Sequence, residues 1–223
     1  MKGRIILKKE DFLWILTLAL FVLFLIYPST HALFISATNS HPYLVGFAKF
    51  AVLATMGELL ARRLVVGHWE KPGGLFFRAM VWGFLGMLIV IIFSIYATGV
   101  KAAMEAHLLP FQGSSLAFAF FTSAIMNTTF APTMMGFHRL TDTYIDLKLS
   151  GKSNITLSDV AGAVDWRSFV SFVCVKTIPF FWIPAHTITF FLPAEYRVLM
   201  AAMLSIALGA ILSFAKKKSS PVK

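Results

Sequence analysis

The sequence predicts an all-α polytopic membrane protein, a single integral membrane domain over residues 1–223 folded as a bundle of about six transmembrane helices with both termini cytoplasmic. Three observations predict it. Of the residues, 58% are hydrophobic and 13% charged, with mean hydropathy +0.77, whereas soluble domains are about 25% charged. Six apolar runs are each long enough to cross roughly 30 Å of hydrocarbon as a helix. When those runs alternate across a bilayer, 16 of the 20 Lys and Arg residues fall on one side, as the Lys and Arg bias of cytoplasmic loops requires. No alternating ten-residue pattern of an outer-membrane barrel is visible.

The first run, 12–36, follows the basic opening MKGRIILKK. It is longer than the roughly 7–15 residue apolar core of a cleavable signal peptide and meets YPST instead of a cleavage site, so it reads as an uncleaved span with Pro28 as its breaking point. The second run, 43–64, carries Lys49, Glu58 and Arg62, and the third, 76–99, has Arg78 near its start and is otherwise largely apolar. The fourth, 114–137, contains TSAIMNTTFAPT, where Thr122, Ser123, Asn127, Thr128, Thr129 and Thr133 surround Pro132. The polar loop 138–167 follows, with TLSD and Ser158 as the expected cap of a short interfacial helix. Its Asp142, Asp146, Asp159 and Asp165 read as solvated surface, since neither the spacing nor the glycine of an EF-hand is present. The fifth run, 166–190, and the sixth, 195–215, are joined by LPAEY, which leaves a re-entrant pair as the alternative to two full crossings.

The basic residues on the inner side lie in segments 2–9, 62–78, 139–167 and 216–223, against Lys101 and Arg197 outside. The net charge of +10 is therefore a consequence of topology, with some attraction to anionic headgroups of the lipid bilayer. A nucleic-acid partner would need these residues clustered on one element, and they are spread over separate loops. The single cysteine, Cys174, excludes a disulfide framework, a zinc cluster or an iron–sulfur site within one chain. No His-x-x-x-His pair, Gly-x-Ser-x-Gly elbow or phosphate loop occurs, so no enzyme, metal site or cofactor is expected. His138 and Asp142, four residues apart at a membrane exit, read as a surface pair.

Charges within spans carry the functional signal, because each costs several kcal/mol at membrane depth unless paired or hydrated. Lys49 is close enough to its helix end to snorkel. Glu58 and Arg62 lie one turn apart and are expected to pair at the inner mouth. Lys176, near the midplane, calls for water or an anionic partner, with Glu58 and Asn127 as candidate neighbours. Pro179 and Pro184 free carbonyls beside it, while Trp182, His186 and Thr189 share one helical face. Such polar residues either glue helices together through hydrogen bonds or line a hydrated path between the fourth and fifth spans.

The order of several short motifs resembles the Mpv-seventeen and peroxisomal membrane protein family of mitochondrial inner-membrane and peroxisomal proteins. WIPAHTIT supplies Trp182, Pro184, His186 in the family's Gln position and Thr189 in its Asn position. LPAEYRVL supplies Pro193 and Arg197, and AILS resembles the closing motif. Upstream, MNTTFAP resembles the Asp-Gln motif with Asn127 in the Gln place and Met126 for Asp, YPST and MGELLAR resemble the first motifs with Glu58 in an acidic position, and RAMVWGF resembles the third. The family's Gly-Pro followed by His and Tyr is absent at Gly86 and beyond. The resemblance implies a channel or facilitator for a small solute or ion, without a cofactor, in which Lys49, Glu58, Arg62, Asn127, Lys176, Trp182, His186 and Thr189 are the pore or binding candidates. A non-catalytic subunit of a multi-subunit importer and a membrane-embedded enzyme remain the alternatives, and a homo-oligomer is compatible with either. The absence of targeting signals favours a prokaryotic plasma membrane over the mitochondrial inner membrane.

Overall fold

The computed structural model describes residues 8–219, so Lys2, Arg4 and Lys223, and with them the expected cytoplasmic placement of the two ends, lie outside the described residues. Every regular element among the described residues is helical. Helices α1 (Lys9–Ile26) and α2 (Pro28–Ser40) meet at a bend of 85°. Pro28 has no N–H and forces Tyr27 out of the helical region, to φ −67° and ψ 126°. Freed carbonyls find side chains: Thr30 Oγ1 donates to Phe24 O at 2.6 Å, and His31 Nδ1 lies 2.8 Å from Leu25 O. Tyr196, far along the chain, completes the knot with its hydroxyl 3.0 Å from His31 Nε2.

Helix α3 (Pro42–Val66) is the central element, starting at a proline and ending at Gly67 in the left-handed conformation, φ 89°. Helices α4 (Leu75–Glu105) and α10 (Ala194–Ser219) pack along it. Both crossings depend on glycine. A Cβ at Gly86 would collide with Gly46 O, and one at Gly209 would stand 2.8 Å from Gly57 O, so small residues permit backbone contact where hydrophobicity alone gives helices in lipid no reason to associate. Leu53, Leu85 and Ala202, all at 0% exposure, fill the core between these helices.

The fourth expected span is two helices, α5 (Ser115–Thr129) and α6 (Ala131–Leu149), divided at Phe130 just before Pro132. Helix α5 begins against the far end of α4, where Ala117 packs with Val100 and Met104, and α6 ends against Gly73 and Gly74, which precede α4. The loop beyond holds α7 (Leu157–Ala163), whose cap is Thr156 and not Ser158: Thr156 Oγ1 accepts from Asp159 N at 3.2 Å, and Asp159 Oδ2 accepts from Thr156 N at 2.8 Å. The reciprocal box sits two residues earlier than the sequence suggested, because Asp159 at the third helical position can answer only Thr156.

The fifth span runs through α8 (Trp166–Ser168), a π-helical segment over Phe169–Trp182, and α9 (Ile183–Phe191). Its wider winding links residues five apart, as in Ile183 N–H to Ile178 O and Thr177 Oγ1 to Phe172 O at 3.2 Å. Pro179 lies inside this segment, where an α-helix would drive its ring into the carbonyl four residues back. Arg197 of α10 covers the end of α9, donating to Leu192 O at 2.9 Å and Phe190 O at 3.3 Å. Among the described residues, four helices are long and apolar enough to cross a membrane, or five if the bent α1–α2 pair forms one span. The expected fourth run is missing from that set because it is broken at Phe130.

Candidate functional site

Helices α3, α4, α5, α6, α9 and α10 leave between them a cavity of about 340 Å³. Aromatic and apolar side chains, among them Phe50, Trp82, Phe93, Met126 and Trp182, form most of its wall. Two polar stations interrupt that wall.

The deeper station joins α5 to α9. Asn127, 1% exposed, donates from Nδ2 to Ser123 O at 2.9 Å and lies 3.0 Å from His186 Nδ1. Ser123 Oγ donates across the same gap to Ile183 O at 2.7 Å. The His186 ring is held between two aromatics, stacked on Trp182 at 5.1 Å and edge-on to Phe93 at 5.6 Å. The station is closed by its own hydrogen bonds, and buried polar groups need that closure.

The second station lies toward the C-terminal half of α3. Helix α6 presents His138 and Asp142 on one face, α4 presents Arg78 and Trp82 on one face, and α3 presents Glu58. His138, 6% exposed, has Nε2 3.4 Å from Glu58 Oε1 and Nδ1 3.7 Å from Asp142 Oδ2, both longer than an ordinary hydrogen bond. Trp82 lies over the imidazole with ring centroids 4.2 Å apart. Arg78, buried, is 2.9 Å from Asp142 Oδ1, pairs also with Asp146, and donates from Nε to Gly73 O at 3.1 Å. Among the described residues, His138 Nε2, Trp82 Nε1 and Asp142 Oδ1 of this station are buried polar atoms without a hydrogen-bond partner, Asp142 Oδ1 having its ionic contact with Arg78. Glu58, His138 and Asp142 each offer one ligand atom, all within 4.8 Å of one another, so these three could hold a metal ion.

A second cavity, of about 350 Å³, lies at the opposite end of the bundle, with Thr38, Asn39, Lys49, Thr98, Glu195 and Arg197 among its lining. Phe93 lines both cavities. Lys49 is buried there, donating from Nζ to Thr38 Oγ1 at 3.2 Å and standing 4.4 Å from the Phe34 ring centroid.

Of the sequence-derived candidates, Glu58, Asn127, Trp182 and His186 come together around the first cavity, and Lys49 lines the second. Thr189 is fully buried, but its hydroxyl is used within its own helix, donating to Ala185 O at 2.9 Å. Arg62 is exposed, and Glu58 faces His138 in place of the partner one turn away. Lys176 is exposed on the outside of the bundle and lines neither cavity, away from Glu58 and Asn127. The π winding explains the difference, since faces assigned at 3.6 residues per turn rotate when the helix is wider. His138 and Asp142 are not a surface pair, because His138 is buried under Trp82. The sequence signal for this station was two four-residue spacings, Arg78 to Trp82 and His138 to Asp142, on separate helices. Nothing local marked Phe93. Compared with protein-family models, curated proteins and solved structures, the chain has no match.

Proposed function

We propose that this chain is a channel or facilitator, without catalytic activity, that passes small solutes or ions through the bundle, related to the Mpv-seventeen and peroxisomal membrane proteins that its motifs resemble. The observation that carries the reading is the pair of cavities that have the buried Phe93 in both their linings, one lined also by Glu58, His138 and Asp142, the other by Lys49 and Arg197. Phe93 packs at 5.1 Å on Phe190 and edge-on to His186, and in this reading a rotamer change at Phe93 joins the two cavities. Glu58 and Asp142 at one mouth and Lys49 and Arg197 at the other set opposite charge biases at the two ends.

The topology in this reading has six crossings, with α5 and α6 together making the fourth, both termini in the cytoplasm, and the bilayer that of a prokaryotic cell. What supports it is the run of α5 and α6 along α4 and the basic bias of the loops at 65–75 and 140–165. In a Cys174→Ser background, a cysteine at Ser153 is expected to be labelled only from the cytoplasmic side; labelling from outside overturns the six-crossing reading.

The passage itself is tested in liposomes containing the purified full chain. Phe93→Ala is expected to raise small-solute flux several-fold over the parent chain, and Phe93→Trp to lower it. Flux equal to that of empty liposomes for the parent and for Phe93→Ala would overturn the reading.

A further inference from the structure

We infer that Glu58, His138 and Asp142 form a binding site for one divalent transition-metal ion of the zinc type at the inner mouth of the first cavity. The donor set has the required chemistry: one imidazole nitrogen and two carboxylates, from α3 and α6, with ligand atoms within 4.8 Å of one another. Geometry favours a shared cation over direct contact. A hydrogen bond between His138 and Glu58 would bring the heavy atoms to about 2.9 Å. They are 3.4 Å apart, which is roughly the edge of a tetrahedron with metal–ligand bonds of about 2.1 Å.

His138 Nε2 is the independent sign of a ligand. It belongs to a residue only 6% exposed, faces the carboxylate, and has no hydrogen-bond partner among the described residues. Buried polar atoms are otherwise almost always paired, and a metal ion satisfies such a nitrogen in one bond. Trp82 Nε1, also buried and unpartnered, lies on the helix that covers the imidazole and offers a donor to water or hydroxide on the ion.

Charge points the same way. Glu58 and Asp142 line this mouth beside His138 and the exposed Arg139, while Arg78 is held by Asp142 and by the exposed Asp146. With Arg78 occupied by Asp142 and Asp146, the carboxylate of Glu58 is left facing an imidazole in a partly buried place. Arg78 does not occupy the metal's place. It pairs with Asp142 at Oδ1 and spends its other donors on Asp146 and Gly73 O, leaving Asp142 Oδ2 beside the imidazole, 3.7 Å from His138 Nδ1. It is thereby the group that orients a ligand. All three residues line the cavity, so an ion held by them would have room there for water or a solute donor as its fourth ligand.

The inference does not rest on solute passage: a chain that conducts nothing can still bind the ion. Untagged full-length protein in detergent, stripped with chelator, is titrated with zinc chloride and followed by calorimetry, and the zinc-loaded protein is examined by X-ray absorption. One ion per chain is expected, with one imidazole and otherwise oxygen ligands. Glu58→Gln and His138→Gln are each expected to weaken binding at least tenfold. His68→Gln, which removes the exposed His68–Glu70 pair 2.9 Å apart, is expected to leave it unchanged. Absence of stoichiometric binding by the parent chain, or binding lost in His68→Gln and kept in Glu58→Gln, overturns the site. Should His138→Gln fail to fold, the imidazole count in the parent's absorption spectrum still decides: no imidazole in the shell overturns the assignment.

Discussion

Two ionic clusters sit along the C-terminal half of α3, one at Arg63 and one at Glu58, and they are built from similar groups to opposite effect. Arg63 grips Asp11 with two donors, Nε at 2.9 Å and Nη2 at 2.8 Å, while Trp69 Nε1 donates to the same carboxylate at 2.9 Å and Arg63 Nη1 reaches Gly67 O at 2.6 Å. The carboxylate and the guanidinium are matched, and the cluster ties the start of α1 to the end of α3. At Glu58 the imidazole stands off both carboxylates, a nitrogen is left unpartnered, and the cluster opens onto a cavity. The contrast separates a buried ion pair that fixes structure from one that keeps capacity for a ligand. Partly satisfied buried polar groups are costly, and they persist where function uses them.

The largest expected effect breaks the closed side. Arg63→Ala leaves Asp11 covered by side chains yet without its bidentate partner. Because charge-assisted hydrogen bonds contribute about 1.5–3 kcal/mol, the loss should be about 2 kcal/mol in detergent thermal unfolding. Zinc binding at the other cluster should survive. A melting temperature unchanged from the parent would place Asp11–Arg63 among surface pairs of little weight.

Next comes the closed polar station inside the cavity. Asn127→Ala removes the amide that meets His186 Nδ1 and leaves that ring nitrogen buried, so a loss of about 1–3 kcal/mol is expected from the orphaned group. Ser123→Ala and the double variant complete a cycle. If the double variant equals the sum of the singles, the α5–α9 seam is not cooperative and its residues pack independently.

How far the sequence disclosed these sites follows from what periodicity can and cannot carry. Composition and apolar run length determine helices in lipid, because the backbone has no other way to satisfy itself there, and the helical fold was legible on that ground. The proline breaks at Pro28 and Pro193 were legible too, since proline acts on its own neighbours. The face of Lys176 was not, because fourteen residues of π winding depend on tertiary context that no local pattern announces. Asn127 and His186 were singled out as polar groups of one seam, and they stand 3.0 Å apart, although nothing in the chain said that they meet. The Glu58 station joins three segments distant in sequence. His138 and Asp142 looked like a surface pair, and Glu58, though singled out, had a closer arginine, Arg62, which the fold turns outward.

A smaller effect is expected on the open side. Glu58→Gln keeps the side chain's size and removes a charge whose partner, His138 Nε2, stands off at 3.4 Å, so stability should stay within about 0.5 kcal/mol of the parent. Detergent melting curves of Glu58→Gln and Arg63→Ala, taken together, sharpen the comparison. If Glu58→Gln costs as much as Arg63→Ala, the cluster at Glu58 is structural, and its unpartnered nitrogen has no functional meaning.

The smallest effect concerns the same chemistry in full contact with water. Asp159 accepts from Lys152 Nζ at 2.6 Å, from Thr156 N at 2.8 Å and from Thr156 Oγ1 at 2.7 Å, and these partners, Lys152 first, hold its carboxyl well below the ordinary Asp value. A depressed native value means that the unfolded segment binds a proton more readily than the folded one. The contribution to stability is therefore fully present above the unfolded value of about 3.9 and is lost as pH falls through the native value. Because the group is exposed and salt-screened, the effect should be confined to the capping of α7 and leave the membrane helices untouched. Amide exchange across Leu157–Ala163 between pH 2 and 6, corrected for intrinsic rates, should show protection declining in acid and declining sooner at high salt. Asp159→Asn should flatten that decline. Protection that falls identically in the parent and in Asp159→Asn would mean that Lys152 and Asp159 meet without holding the helix start, and that only the covered pair at Arg63 fixes structure by charge.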